Sequence, residues 1–290
     1  MAELILLICG GAIAGAFGAL LGLGGGVLMV PLLTLGFGLP LREAVGASLV
    51  CVIVTSSAAA SVYLQRDIAN LRLGMTLEMF TAIAALAGGL VAFMLPDRVL
   101  ALMFAALLLY VAITMARARE ARDSGPGDGP DAAQPTLAGA DHTGADSGGG
   151  ADTTGDRGLA AALSGPGYRV RNLGRGALGS LLAGLVSALF GVGGGIVKVP
   201  VMNLVMGVPI RVATATSNLM IGVTASAGAL VYLFRGGSDP YVAAPAAVGV
   251  FAGASLASRL SDRVDLRMLR LLFVAVMVVT ATQMALRGVG

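Results

Sequence analysis

The chain has 290 residues, 57% of them hydrophobic and only 12% charged, with a mean hydropathy of +0.88 and a net charge of +3. Soluble domains carry about one quarter charged residues, so this composition excludes an ordinary water-soluble globule. In so apolar a chain a small positive surplus concerns which loops face the cytoplasm and does not point to a nucleic-acid partner.

From Leu4 to Leu41 no side chain is ionisable except Cys9. Further charge-free runs cover Ala44–Gln65, Met79–Pro96, Val99–Ala116, Ala177–Val197, Val212–Phe234, Tyr241–Ser258 and Leu271–Leu286. A helix needs about 20 apolar residues to cross the hydrocarbon layer, and in lipid every backbone polar group must be satisfied internally. The runs therefore predict an all-α, polytopic integral protein of the plasma (cytoplasmic) membrane. Met1–Cys9 lacks the basic start of a cleavable signal, which makes the first segment a retained span. Cys9 and Cys51 both fall in apolar spans and read as core thiols.

In chain order the first half holds four segments, at about 4–38, 44–64, 73–95 and 99–116. A stretch rich in Gly, Asp, Pro, Ala and Thr follows and includes GPGDGPDAAQP and GADSGGGADTTGDRG. It cannot bury enough apolar area to order itself, so a hydrophilic, disordered linker is expected over 117–173 between membrane repeats at 1–116 and 174–290. The second half holds segments at about 174–206, 212–234, 240–260 and 266–286.

The halves are copies. A shift of 169 residues lays Ala14–Arg66 on Ala183–Arg235 with 25 of 53 positions identical. GLGGGVLMVP falls on GVGGGIVKVP, GLPLREA on GVPIRVA and VYLQR on VYLFR. Duplicated halves are a common build for secondary transporters, with the substrate site at the repeat interface near mid-membrane. Eight segments in two four-segment repeats follow, the first segment of each interrupted at its triple glycine. Glycine costs about 1 kcal/mol in a helix interior, so three together predict a long helix, an unwound stretch and a short helix starting near Val27 or Ile196. With one pass per segment, eleven arginines lie on the linker side and seven opposite, a modest preference for a cytoplasmic linker. A re-entrant turn at each break would instead invert one half relative to the other, and the sequence leaves both arrangements open.

Two readings compete for the glycines. Small residues let membrane helices approach closely, yet the same Gly-Gly-Gly-x-x-x-Val-Pro recurs at equivalent places, at Gly24, Gly25, Gly26 and at Gly193, Gly194, Gly195. Unwound backbone at membrane depth is tolerated where it is buried in protein or lines a polar cavity, and a following helix start favours anions. Lys198, the only lysine in the chain, lies just after the second break, where the first half has Met29. A buried lysine must meet an anion, either a carboxylate or a substrate. With no acid nearby in sequence, the expectation is a substrate; snorkelling to the interface is the alternative.

Ser217 has a counterpart in Ser48, whereas Asn218 faces Leu49. These three serve either as interhelical glue or as oxyanion ligands. Glu78 is the best intramembrane candidate for a proton carrier, with an interfacial position as its alternative. Glu43, Asp97, Asp262 and Asp265 fall in short loops and are expected to pair with arginines or cap helices. Catalysis is not expected: the only histidine, His142, lies in the linker, and neither a Ser–His pair nor a carboxylate pair is available in the membrane.

The twin GGG-x-x-x-VP motifs, the Gly-x-Pro-x-Arg turns that follow them, Lys198 and the run TSNLMIGVTA together resemble the sulfite exporter TauE/SafE family, membrane permeases for sulfur-containing anions. The resemblance covers both membrane halves and leaves out the linker. It implies export, the favoured direction, or import of sulfite, sulfonates or related anions, with the six motif glycines and Lys198 at the site. The expected partners are a small anionic substrate and the lipid bilayer, with a homo-oligomer also compatible; no cofactor or metal is implied. Competing readings are a non-transporting membrane scaffold or a permease for a different small solute.

Overall fold

The computed structural model of the protein describes residues 2–21, 24–65, 69–123, 163–164, 168, 170–260 and 266–289. The described residues form ten helices: α1 Ala2–Leu21, α2 Gly26–Gly36, α3 Leu41–Gln65, α4 Leu71–Met94, α5 Asp97–Asp123, α6 Leu173–Phe190, α7 Gly195–Val205, α8 Ile210–Phe234, α9 Pro240–Leu260 and α10 Leu266–Val289. Seven helices, α1, α3, α4, α5, α6, α8 and α9, are long and apolar enough to cross a membrane. Shorter apolar stretches are α2, α7 and Leu271–Leu286 within α10. The fold class is the all-helical membrane architecture expected, although α5 runs on to Asp123, beyond the expected segment end. The disorder expected of the linker concerns mainly residues outside the described ones.

Each glycine break reverses the chain. Gly24 and Gly25 have φ of 79° and 71°, and Gly193 and Gly194 of 82° and 74°, left-handed values that glycine adopts without steric cost. A Cβ on Gly18 would stand 2.1 Å from the Gly25 nitrogen, and Gly10 lies against Leu32, so α2 returns antiparallel along α1. In the second half Gly179 lies against Val201 and Gly176 against Met206, and α7 returns along α6. Pro31 and Pro200 come one turn after the breaks. Lacking an N–H, they withhold a bond from the carbonyl four residues back, and both helices widen there into π turns, Leu32–Gly36 and Val201–Val205. The opening segment of each half is thus a re-entrant hairpin rather than one pass.

Equivalent helices α3 and α8 cross antiparallel, with Gly222 on Ser56 and Gly228 on Leu49. α4 and α8 are parallel: the Asn70 N–H donates to Thr216 Oγ1 at 2.9 Å near their starts, and Gly89 meets Val231 farther along. Antiparallel equivalents mean that the halves sit inverted. Each half also packs across the repeat boundary, α1 on α9, α6 on α4 and α5 on α10. The α1–α9 seam sets Gly11 and Gly15 against Ala246 and Val250, and Gly249 and Gly253 against Ile8 and Ala12. A Cβ on Gly253 would stand 1.9 Å from the Ala12 carbonyl oxygen, the close approach that paired small residues permit.

The re-entrant turns also redistribute the arginines. One face carries the starts of α3 and α5 and the end of α4, where Arg42 pairs with Asp97 at 2.9 Å and donates to the Leu95 carbonyl at 2.6 Å. The end of α8 joins them there, with Arg235 over the Phe93 ring. Among the arginines with described side chains, that face takes Arg42, Arg98 and Arg235, and the linker face takes Arg72, Arg171 and Arg175.

Candidate functional site

The two breaks converge at the centre of the molecule. A Cβ on Gly24 would stand 3.1 Å from Ile221 and 3.4 Å from Val52, and one on Gly193 would stand 2.7 Å from each. Val52 and Ile221 are equivalents under the 169-residue shift and lie at the midpoints of α3 and α8, so a pseudo-two-fold axis passes between them. Gly26 abuts the Gly191 carbonyl, where a Cβ would come within 2.1 Å. The Ser48 hydroxyl lies 2.8 Å from that carbonyl oxygen and 3.3 Å from the Gly26 carbonyl oxygen, bridging one break to the other.

Around this common frame the second half carries the more polar buried side chains. Ser217 and Asn218 are buried, and neither Ser217 Oγ nor Asn218 Nδ2 has a partner among the described residues. The Asn218 backbone carbonyl accepts from Ser56 Oγ and ties α8 to α3. Ser187 lies beside Gly194 and also keeps a buried hydroxyl without a described partner; its first-half equivalent is Gly18. Met29, the equivalent of Lys198, is buried in the main apolar core with Val27, Val30 and Leu33.

Lys198 follows Gly194, whose carbonyl accepts its backbone N–H at 3.0 Å, and its side chain is 1% exposed. The ammonium donates to Glu78 Oε2 of α4 at 2.9 Å and to Thr224 Oγ1 of α8 at 2.6 Å. Thr224 in turn donates to Glu78 Oε1, and Thr81 donates to Oε2 at 2.8 Å. The carboxylate thus accepts three hydrogen bonds, while one of the three ammonium N–H groups has no partner among the described residues. The anion that Lys198 meets in this structure is therefore a carboxylate 120 residues away, where sequence proximity points to a substrate. Glu78 is likewise core rather than interfacial, at 7% exposure. At the mirror position Thr55 bonds back to the Cys51 carbonyl at 2.8 Å, and the 169-residue shift puts Ala247 where Glu78 stands.

Sequence reasoning missed Ser187, Thr81 and the pairing of Glu78. The available signal was the isolation of one acid and one base in apolar segments, since each needs an opposite charge in lipid. Thr81 also sits three residues after Glu78, on the same helix face. Cys51 is buried as expected, but Cys9 is exposed on the outer side of α1, because that face meets no other described helix. Asp97 pairs with Arg42 of α3 rather than with a neighbouring arginine; Asp262 and Asp265 lie outside the described residues. No group of His, Cys, Asp and Glu fit to hold a metal occurs among the described residues.

The centre is closed: Ser48, Ser217, Asn218 and Lys198 are each at most 1% exposed. A cleft of about 350 Å³ does open between α1, α2 and α10, but Ile13, Phe17, Leu28, Leu32 and Phe273 make it apolar. It lies along the first hairpin, away from the polar cluster. A buried ion pair whose ammonium keeps one N–H without a partner among the described residues can hold a small polar solute and can exchange one charge partner for another.

Comparison with known proteins accords with a membrane carrier. Over 98% of both chains the sequence is 21% identical to the probable membrane transporter protein YunE of Bacillus subtilis. It is 27% identical to the probable membrane transporter protein MJ0441 of Methanocaldococcus jannaschii, over 79% of this chain and 72% of that one. No solved structure matches. The model of the family described as Sulfite exporter TauE/SafE matches residues 7–284, and the chain belongs to this family of membrane transporters.

Proposed function

We propose that the protein carries a small anion across the membrane, of the sulfite, sulfonate or related sulfur-oxyanion class, at the second glycine break. The observation that carries this reading is a surplus of donors. Asn218 Nδ2 and the hydroxyls of Ser187 and Ser217 are buried without described partners on α6 and α8, the helices packed against α7, and Lys198 keeps a third N–H without a described partner. The nearby carboxylate, Glu78, has both oxygens engaged. An oxyanion accepts from several donors at once, and the amide and ammonium N–H groups can only donate. Gly24, Gly25 and Gly26 with Gly193, Gly194 and Gly195 keep the backbone unwound on the axis, and Ser48 holds the two breaks together. Snorkelling of Lys198, which the scaffold reading needs, finds no support in a side chain that is 1% exposed and paired inside the bundle.

Uptake of labelled sulfite and of a labelled alkanesulfonate into proteoliposomes tests this. Wild-type protein should accelerate uptake of at least one of them over empty vesicles. Asn218→Leu, which installs the first half's residue, should cut the rate about tenfold with no loss of thermal stability, because an unpaired buried amide is removed. Wild type that moves none of these anions would return the scaffold reading.

A further inference from the structure

Resting on that reading, we infer that Glu78 is the proton site that couples transport: a proton on its carboxyl releases Lys198 to the anion, so that proton and anion occupy the protein together. The charge count of the buried cluster leads there. As built, Glu78 and Lys198 neutralise each other at 2.9 Å with 1% exposure at the lysine. An anion arriving at Lys198 would leave the cluster with one uncompensated negative charge inside the bundle, a costly state in a low-dielectric interior. With Glu78 protonated, the same arrival leaves a neutral carboxyl, an ammonium and an anion, which again sum to zero. The neutral acid still has partners, because Thr81 and Thr224 can reorient their hydroxyls to accept as well as donate.

No other ionic partner competes for the proton. α6, packed on α4, brings only Arg175, at its first turn. α8 brings Arg211 at its own first turn and Tyr232, whose hydroxyl donates to the Ala188 carbonyl at 3.0 Å. α4 itself adds only Arg72 at its start, and α7 only Lys198. Among the described residues, Glu78 pairs with Lys198 alone. The halves divide the labour: the carboxylate comes from α4 of the first and the ammonium from α7 of the second. The pair therefore spans the two inverted units and must be made and broken as they move.

The probe is a labelled alkanesulfonate, whose charge does not titrate between about pH 5 and 8, in proteoliposomes of the full chain. For one proton per anion, an inward acid gradient of one unit should drive about tenfold accumulation. Adding the sulfonate should acidify the lumen, and a potassium diffusion potential should leave the flux unchanged. In Glu78→Gln the ratio of pH-driven accumulation to counterflow should collapse, and lumen acidification should be lost. A merely structural pair would slow counterflow and pH-driven flux in proportion. Wild-type flux that follows the membrane potential and ignores the pH gradient overturns the coupling while leaving anion transport standing. Wild type that moves no sulfonate even in counterflow overturns both. Because the gradient test uses unaltered protein, the inference does not depend on the variant folding.

Discussion

Gly18, Met29 and Leu49 stand at the first glycine break where Ser187, Lys198 and Asn218 stand at the second, although the backbones of the two match, with paired φ of 79° and 71° against 82° and 74°. Shape was duplicated and polarity was not. The first break gives a hairpin filled by apolar side chains; the second gives the same hairpin with an ammonium and, beside it, a buried Ser187 hydroxyl that has no partner among the described residues. A second buried lysine on the mirror side would have no carboxylate, because Ala247 occupies the position equivalent to Glu78. The asymmetry thus keeps the cost of one buried ion pair from becoming that of two.

The largest effect should come from making the second break like the first at its charge. Lys198→Met leaves Glu78 buried without its cation, which should cost about 3–5 kcal/mol in detergent melting and abolish transport. Combining it with Glu78→Ala should recover most of the stability and none of the transport. A single variant that is both stable and active would break the comparison at its root.

A smaller contrast tests whether the matching backbones carry matching strain. Gly193→Ala places a Cβ 2.7 Å from Val52 and Ile221, against 3.4 and 3.1 Å for Gly24→Ala, and both sites have positive φ. Each variant should lose about 1–3 kcal/mol, with Gly193→Ala the more damaged in thermal unfolding. Equal losses would mean that contact at the crossing is not limiting and that φ alone sets the cost.

The inverted arrangement can be read with no expected change in function. In a background free of Cys9 and Cys51, a membrane-impermeant thiol reagent added outside should label Tyr241→Cys, at 89% exposure, and spare Gly174→Cys at the linker face. Labelling of both from the same side would overturn the inversion.

Much of the site was legible before any coordinates. The recurrence of GGG-x-x-x-VP marked both breaks, and a lone lysine among valines marked Lys198, because glycine runs and isolated charges in lipid have few structural uses. Asn218 stood out by differing from Leu49. Ser187 was invisible, since a serine in an apolar helix ordinarily bonds its own turn. Glu78 was legible only as a weak candidate because its distance from Lys198 in the chain hides the pairing.

Hydrophobic run length, duplication and the break points were determined by the sequence itself: the energetics of backbone burial in lipid and of glycine in a helix act locally. Whether the chain continues or turns back after each break was decided only in three dimensions. Two left-handed glycines permit either course, and the choice rests on Gly18 fitting against Gly25 and Gly179 against Val201. That choice inverts the halves and brings Glu78 of α4 to Lys198 of α7. The carboxylate and the ammonium then meet because, in a closed apolar bundle, each buried charge is stable only beside its opposite.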